Sequence, residues 1–297
     1  MSKTRTPLLS RNYGVPYSFP MGLWFSLFFI LPLLIIITYS FLKKGVHGGV
    51  EWQFTFNAYR QMCNISYGKL VVRTLCISVI STALTLIISL PCGYAMARSK
   101  NQTFLLFLII IPFWTNSLIR INAWIAILGN EGFINATLIK LGILKEGLPL
   151  LYNQNAVILV LVYMYLPYAI LPVFTAMDKF DFSLLEAARD LGATKAQSMF
   201  RVLLPNVRSG IVTALIFTFI PIFGAYTVPL LVGGKDSYML GNVIVDQVTK
   251  VRNWPLASAF SMVITVVSTV GVLWMMGTSA REAARTKAAA SKQESVL

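Results

Sequence analysis

Apolar residues fill six long stretches of the chain, with short polar segments between them. About 20 apolar residues cross a bilayer as a helix, so each stretch predicts one membrane span. The first has its apolar heart at residues 23–42, within a run that carries no charge from Arg11 to Lys43. The second covers 74–97. The third covers 103–128, with Arg120 as its one interruption. The fourth lies in the uncharged stretch 147–177, from about residue 156 onward. The fifth covers 211–232 and the sixth 257–277. No stretch alternates apolar and polar residues as a membrane β-strand does, so the spans predict an all-α polytopic bundle. The first apolar core is too long for a cleaved signal peptide, and no small-residue cleavage site follows it.

Composition excludes the other broad classes. The chain of 297 residues is 56% hydrophobic and 12% charged, against about 25% charged in soluble domains. Its mean hydropathy is +0.70. Neither a soluble single domain nor a disordered chain has this balance. Lys and Arg number 25 against 11 Asp and Glu, a formal charge of +14. In a soluble protein that surplus would suggest nucleic acid. In a membrane protein it is the expected excess of cytoplasmic Lys and Arg, so no nucleic-acid partner is expected. Six spans place both termini on one side. That side, with the 2–3 and 4–5 loops, holds 14 of the Lys and Arg, and the other side holds ten. The bias predicts cytoplasmic termini and a cytoplasmic 4–5 loop. The outward loops are rich in Gly and aromatics. Cys63, Cys76 and Cys92 show no C-x-x-C spacing and His47 is the single histidine, so no disulfide framework, metal site or cofactor is implied.

What the spans lack narrows the function. Arg120 is their single ionisable residue. A proton- or sodium-coupled carrier needs carboxylates or histidines near the midplane, and a voltage sensor needs several Arg in one span. An H-E-x-x-H metalloprotease needs two histidines. No G-x-x-x-x-G-K-[ST] occurs, because Gly233-Gly234-Lys235 lacks the spacing and the following hydroxyl. ATP-driven transport would therefore need its ATPase on another chain.

The loop 178–208 is the segment richest in chemistry. Ser183-Leu184-Leu185-Glu186 fits a capping box, in which Ser caps the helix and Glu reaches back. Ala187 to Leu191 continue as helix formers, and Gly192 suits the left-handed residue that ends a helix. Thr194-Lys195-Ala196-Gln197 is a second capping-box pattern. Met199, Phe200 and Leu203 give the next helix an apolar face, and Pro205 is expected to break it before span 5. The pattern fits either an amphipathic surface helix or an element that docks on another protein. Ala187 and Ala188 favour docking, because they keep one flank thin.

At this point the chain resembles a known family. Glu186-Ala187-Ala188, Gly192 six residues after the Glu, and Leu204-Pro205 at the end of the loop are similar to the EAA motif of ABC-importer permeases. The loop also lies between the fourth and fifth of six spans, as in that family. The resemblance implies that this loop is a coupling helix seated in a groove of a separate ATPase. It implies the organisation 1–19 cytoplasmic segment, 20–42 first transmembrane helix, 73–277 permease core with five helices, and 278–297 cytoplasmic tail. The tail is rich in Ala, Lys and Ser and is expected to fray after Ala280.

Three further runs, Pro112-Phe113-Trp114-Thr115-Asn116-Ser117-Leu118-Ile119-Arg120, Gly241-Asn242-Val243-Ile244 and Arg252-Asn253-Trp254-Pro255, resemble the PotB-type spermidine/putrescine permeases. Phe223-Gly224-Ala225-Tyr226-Thr227-Val228-Pro229 is closer to the related putrescine permeases. The resemblance implies an inner-membrane permease that carries no catalysis of its own. Its implied partners are a homologous second permease, two ATPase subunits, an extracytoplasmic substrate-binding protein and a small cationic substrate. A permease for another small solute, a stand-alone carrier and a membrane-embedded enzyme are the alternatives.

Without a carboxylate in the spans, an ammonium would rely on aromatic faces, each contact worth about 0.5–2 kcal/mol. Trp114, Tyr163, Tyr165, Tyr168 and Tyr226 are the candidates, although each also fits core or interfacial packing. Asp236 and Asp246 are the external carboxylates nearest a span. Trp114, Tyr163, Tyr226 and Asp246 are the expected path residues. Arg120, roughly 24 Å along a straight third span at 1.5 Å per residue, is expected to snorkel outward, or to pair with a loop carboxylate or with a partner subunit. Pro112, Pro167, Pro221 and Pro229 are expected to kink their spans.

Overall fold

A computed structural model describes residues 14–294, with side chains over 19–277. The expected N-terminal segment, with Lys3, Arg5 and Arg11, lies largely outside the described residues. Helices α1 (Gly14–Phe25) and α2 (Leu31–Ser40) are joined by a π-helical turn, Ser26–Ile30. The hairpin β1 (Leu42–Lys44) and β2 (Val50–Phe54) follows, then α3 (Asn57–Met62) and the long α4 (Ile65–Ala97). Next come α5 (Gln102–Ile110), a 3-10 turn Ile111–Trp114, α6 (Ser117–Leu128), α7 (Phe133–Lys140) and α8 (Gln154–Asp178). The 4–5 loop holds α9 (Ser183–Asp190), α10 (Lys195–Ser198), a π-turn Met199–Leu203 and α11 (Leu204–Asn206). The chain ends with α12 (Arg208–Phe223), α13 (Thr227–Val232), α14 (Leu240–Thr249) and α15 (Trp254–Glu294).

Among the described residues, four helices are long and apolar enough to cross a membrane, or up to six if each of two bent helix pairs is counted as one span. The all-α reading holds, but two spans are not straight. The third breaks by 91° between Trp114 and Ser117. Pro112 offers no amide hydrogen there, and the Asn116 side chain accepts from Leu118 N at 2.8 Å to start a new helix. The fifth ends at Phe223 and resumes as α13 after Gly224, Ala225 and Tyr226. The helical run does break before the fifth span as expected, but at Val207, two residues after Pro205. Pro205 sits in α11, directly after the π-turn, and a 71° bend follows before Arg208. The tail does not fray at Ala280. Backbone helix continues to Glu294, through Ala, Lys, Arg and Gln, which are strong helix formers.

Helix α8 packs between α4 and α12, while α15 packs on α2 and α14. Pro167 and Pro172 both lie inside α8, which stays one helix. The bundle side of α4 carries Thr74, Ser78, Ser81, Thr85, Ser89 and Gly93, all buried. Ser78 and Thr85 satisfy their hydroxyls on carbonyls one turn back, both at 2.7 Å. Small side chains let helix backbones approach closely where lipid gives no hydrophobic drive. A Cβ on Gly93 would stand 2.7 Å from Val173 Cγ1, and one on Gly210 would stand 2.4 Å from Ala176 Cβ. Gly210→Val should therefore overpack the α8–α12 contact by about 1–3 kcal/mol. The thermal midpoint of the detergent-purified complex should fall by several degrees. Gly271→Val, with nothing within 4 Å, should leave it in place.

The hairpin is pinned to the segment just before α15. Gly49 N donates to Arg252 O at 2.9 Å, and Lys43 pairs with Glu51 at 3.2 Å.

Candidate functional site

The 4–5 loop folds as two short helices about a glycine. Leu185, 1% exposed, and Leu203, fully buried, point into a cluster with Val173, Met177 and Val207. The base of the loop is held aromatically. Phe182 packs edge-on to Tyr94 and Phe180, and the Arg98 guanidinium lies 5.4 Å from its ring centre. Gln102 Nε2 donates to Asp178 Oδ1 at 3.0 Å, joining the 2–3 loop to the end of α8.

The first expected capping box does not form. Ser183 is the first helical residue and the N-cap, Phe182, makes no side-chain cap bond. The packed Phe182 ring starts the helix a residue early, and Asp181 takes over, accepting from Ser183 N at 3.0 Å. Hydrogen bonds from the Ser183 side chain and backbone hold the Asp181 carboxyl below its ordinary range. Glu186 is exposed, its carboxylate makes no hydrogen bond or ion pair to another described residue, and it is free for a contact outside the chain.

The helix end follows the sequence closely. Gly192 has φ +89°. Its N–H donates to Arg189 O at 2.8 Å, and Ala193 N donates to Ala188 O at 3.0 Å. These are the two bonds of a Schellman motif. The Thr194 capping box forms, with Gln197 N donating to Thr194 Oγ1 at 3.2 Å and Thr194 N to Gln197 Oε1 at 2.9 Å. Ala187 is exposed and Ala188 half-buried on the flank of α9. Leu204 and Pro205 lie at the far end of the loop, in α11.

The expected path residues fall into two groups. Trp114 is 81% exposed on the 3-10 turn at the third-span break. Its neighbour Phe113 packs on Tyr163 at 5.7 Å, and Tyr163 meets Trp124 at 5.4 Å. Arg120 does not extend along a straight span and pairs with no carboxylate among the described residues. The 91° break removes the straight 24 Å run, and its guanidinium folds back over the Phe113 ring at 4.3 Å. Its Nε and Nη1 are buried without a hydrogen-bond partner.

The second group joins two of the runs that resemble polyamine permeases. Gly241 packs so closely on the α12–α13 break that a Cβ would stand 2.6 Å from Ala225 O. Asn242 Nδ2 donates to Tyr226 O at 2.9 Å, and its Oδ1 accepts from Met239 N at 3.2 Å. Leu240 N donates to Thr74 Oγ1 at 3.0 Å, tying α14 to α4. One turn beyond Asn242, the Asp246 carboxylate accepts from the Tyr238 hydroxyl and pairs with Lys250 at 2.7 Å. Sequence reasoning singled out the Gly241-Asn242 run but not its contact with Tyr226, and it missed Lys250, although Lys250 follows Asp246 at helical i,i+4 spacing. A cleft of about 550 Å³ between α8 and α12, lined by Tyr168, Thr175, Lys179, Ser209 and Phe217, contains none of the expected path residues.

Known proteins match this architecture. The family described as binding-protein-dependent transport system inner membrane component matches residues 85–283. The spermidine/putrescine transport system permease protein PotB of Haemophilus influenzae is 39% identical over 246 residues, covering 82% of this chain and 86% of the relative. PotB of Escherichia coli is 36% identical over 82% of this chain and 90% of its own. The inner membrane ABC transporter permease YdcU of Escherichia coli is 30% identical over 81% of this chain and 82% of its own. A chain of a bacterial ABC transporter involved in the import of alginate has the same fold, with TM-score 0.74 and 16% identity over 90% of this chain and 94% of that one. The chain therefore belongs to the inner-membrane permeases of binding-protein-dependent ABC transport systems.

Proposed function

We propose that this chain is one permease of an ATP-driven importer that moves a small polyamine, spermidine or putrescine, into the cytoplasm. The observation that carries this reading is the 36–39% identity to PotB permeases across 82% of the chain. It spans both the 4–5 loop and the α12–α14 junction. A homologous second permease would complete the path, two ATPase subunits would dock on the cytoplasmic loops, and a binding protein would deliver substrate from outside. Residues 73–277 would form the permease core, with the helix before them as an added span. Glu186, Ala187, Ala188 and Gly192 would seat in the ATPase, and Leu204 and Pro205 would carry that contact to α12. Trp114, Tyr163, Tyr226 and Asp246 would meet the cation.

Uptake of labelled spermidine and putrescine tests the reading, in cells whose own polyamine importers are deleted and which express this chain with its partner subunits. Accumulation that requires the ATPase is expected. Uptake of another solute, with none of polyamine, would reject the substrate class. Orientation has its own test in a background lacking Cys63, Cys76 and Cys92. An impermeant thiol reagent on intact cells should label Val46→Cys, 90% exposed, and spare Leu191→Cys, 89% exposed. The reverse pattern would invert the topology.

A further inference from the structure

The Asp246 carboxylate sits at the outer end of α14 with two donors of different character. Tyr238, half-buried, donates its hydroxyl to Oδ2. Lys250 approaches Oδ1 at 2.7 Å from the solvent side, its side chain 69% exposed against 26% for Asp246. The chain thus holds a primary ammonium on a four-carbon stem against a recessed carboxylate. That is the chemistry of one end of an aliphatic diamine. Asn242, one turn earlier on the same helix face, holds the carbonyl of Tyr226 at the α12–α13 break. An ammonium bound at Asp246 would therefore stand next to the point where the fifth span opens.

We propose that Asp246 is the external receiving site for an alkylammonium group, and that Lys250 is its tethered stand-in, displaced by each incoming substrate. The proposal rests on the polyamine reading above. Exposed i,i+4 pairs are among the weakest ion pairs, because solvent screens them and two long side chains must be held still. The exchange replaces one ammonium with another on the same carboxylate, so it buries no unpaired charge. Tyr238 stays in place as the second donor and keeps the carboxylate oriented while the ammonium groups change. A lysine suits this role and an arginine does not. A guanidinium grips a carboxylate with two parallel bonds and is less easily displaced.

The test is the rate of spermidine transport into proteoliposomes holding the complete complex, with loaded binding protein in excess so that capture is not limiting. Asp246→Asn keeps the shape and the Tyr238 contact but loses the charge, and should slow transport about tenfold, as loss of a charge-assisted hydrogen bond does. Lys250→Met should hold or raise the rate, because the carboxylate is left open. Lys250→Arg should slow it severalfold. The double variant should match Asp246→Asn. Co-purification of the ATPase with each variant confirms that the complex is assembled. Equal losses in Asp246→Asn and Lys250→Met would show a structural brace and overturn the proposal, as would an unchanged rate in Asp246→Asn. If the unaltered complex moves no polyamine, the functional reading fails and the proposal falls with it.

Discussion

Gly192→Val should cut uptake roughly 5–30-fold while the chain still inserts and still pairs with the proposed second permease, the factor that 1–2 kcal/mol represents. Gly192 holds φ +89° between α9 and α10, and nothing lies within 4 Å of the position where a Cβ would stand. A side chain would therefore meet no clash, and the whole cost is conformational. A β-branched residue resists the left-handed region, whereas Asn adopts it routinely. Val should unwind the two Schellman bonds at Arg189 and Ala188 and turn α9 away from its seat. Gly192→Asn should keep near-normal uptake. The measurement is ATPase activity of the reconstituted complex, with and without loaded binding protein. Val should lose the stimulation, and Asn should retain it. Equal, unaltered stimulation in both variants would show that the loop's reversal plays no part in coupling.

The loop was readable because its determinants are local. A left-handed glycine and a capping box are set by residues within four positions of one another. The same locality explains the failure at Ser183. Its pattern was complete, but the Phe182 ring is held by Tyr94 and Arg98 some 85 residues earlier in the chain, and that tertiary contact moved the helix start. The apolar stretches were legible as helices, four of them long enough to cross a membrane and up to six with the bent pairs, yet apolarity carries no information about straightness. The break in the third span was signalled by Pro112 followed by Asn116, a capping residue inside an apolar run. Taken together, these two mark a new helix. The α14 junction was illegible for another reason. Gly241 and Asn242 matter through contacts with Ala225 and Tyr226, which lie about one membrane span away in sequence. The resemblance marks the run, but nothing in the neighbouring residues shows what it touches. The buried hydroxyls of α4 are intermediate, since their i,i+4 spacing is visible but their burial depends on α8.

Leu185→Ala should detach α9 from the bundle and lower uptake by more than tenfold. The helix has eight residues, and isolated helices shorter than about 12 residues are marginal in water. Its existence therefore depends on what it buries. Leu185 is its single buried side chain, 1% exposed, packed in the cluster that includes Val173, Met177, Leu203 and Val207. Truncating a buried Leu to Ala costs about 2–5 kcal/mol. That exceeds what one short helix can recover from its caps, which contribute about 1 kcal/mol each. Leu185 lies outside the spans, at the edge of that cluster, so the loss should fall mainly on α9, while Val173, Met177 and Ala214 keep the α8–α12 contact. Trypsin applied to inside-out vesicles should then cut faster at Arg189 and Arg201, while membrane insertion and pairing with the second permease persist. Leu191→Ala is the matched control: at 89% exposed, it should change neither protease sensitivity nor the bundle. Wild-type cleavage kinetics in Leu185→Ala would mean that the loop is held by its ends, at Phe182 and Leu203. The clamp at Tyr94 and Arg98 would then be the joint through which α9 is positioned.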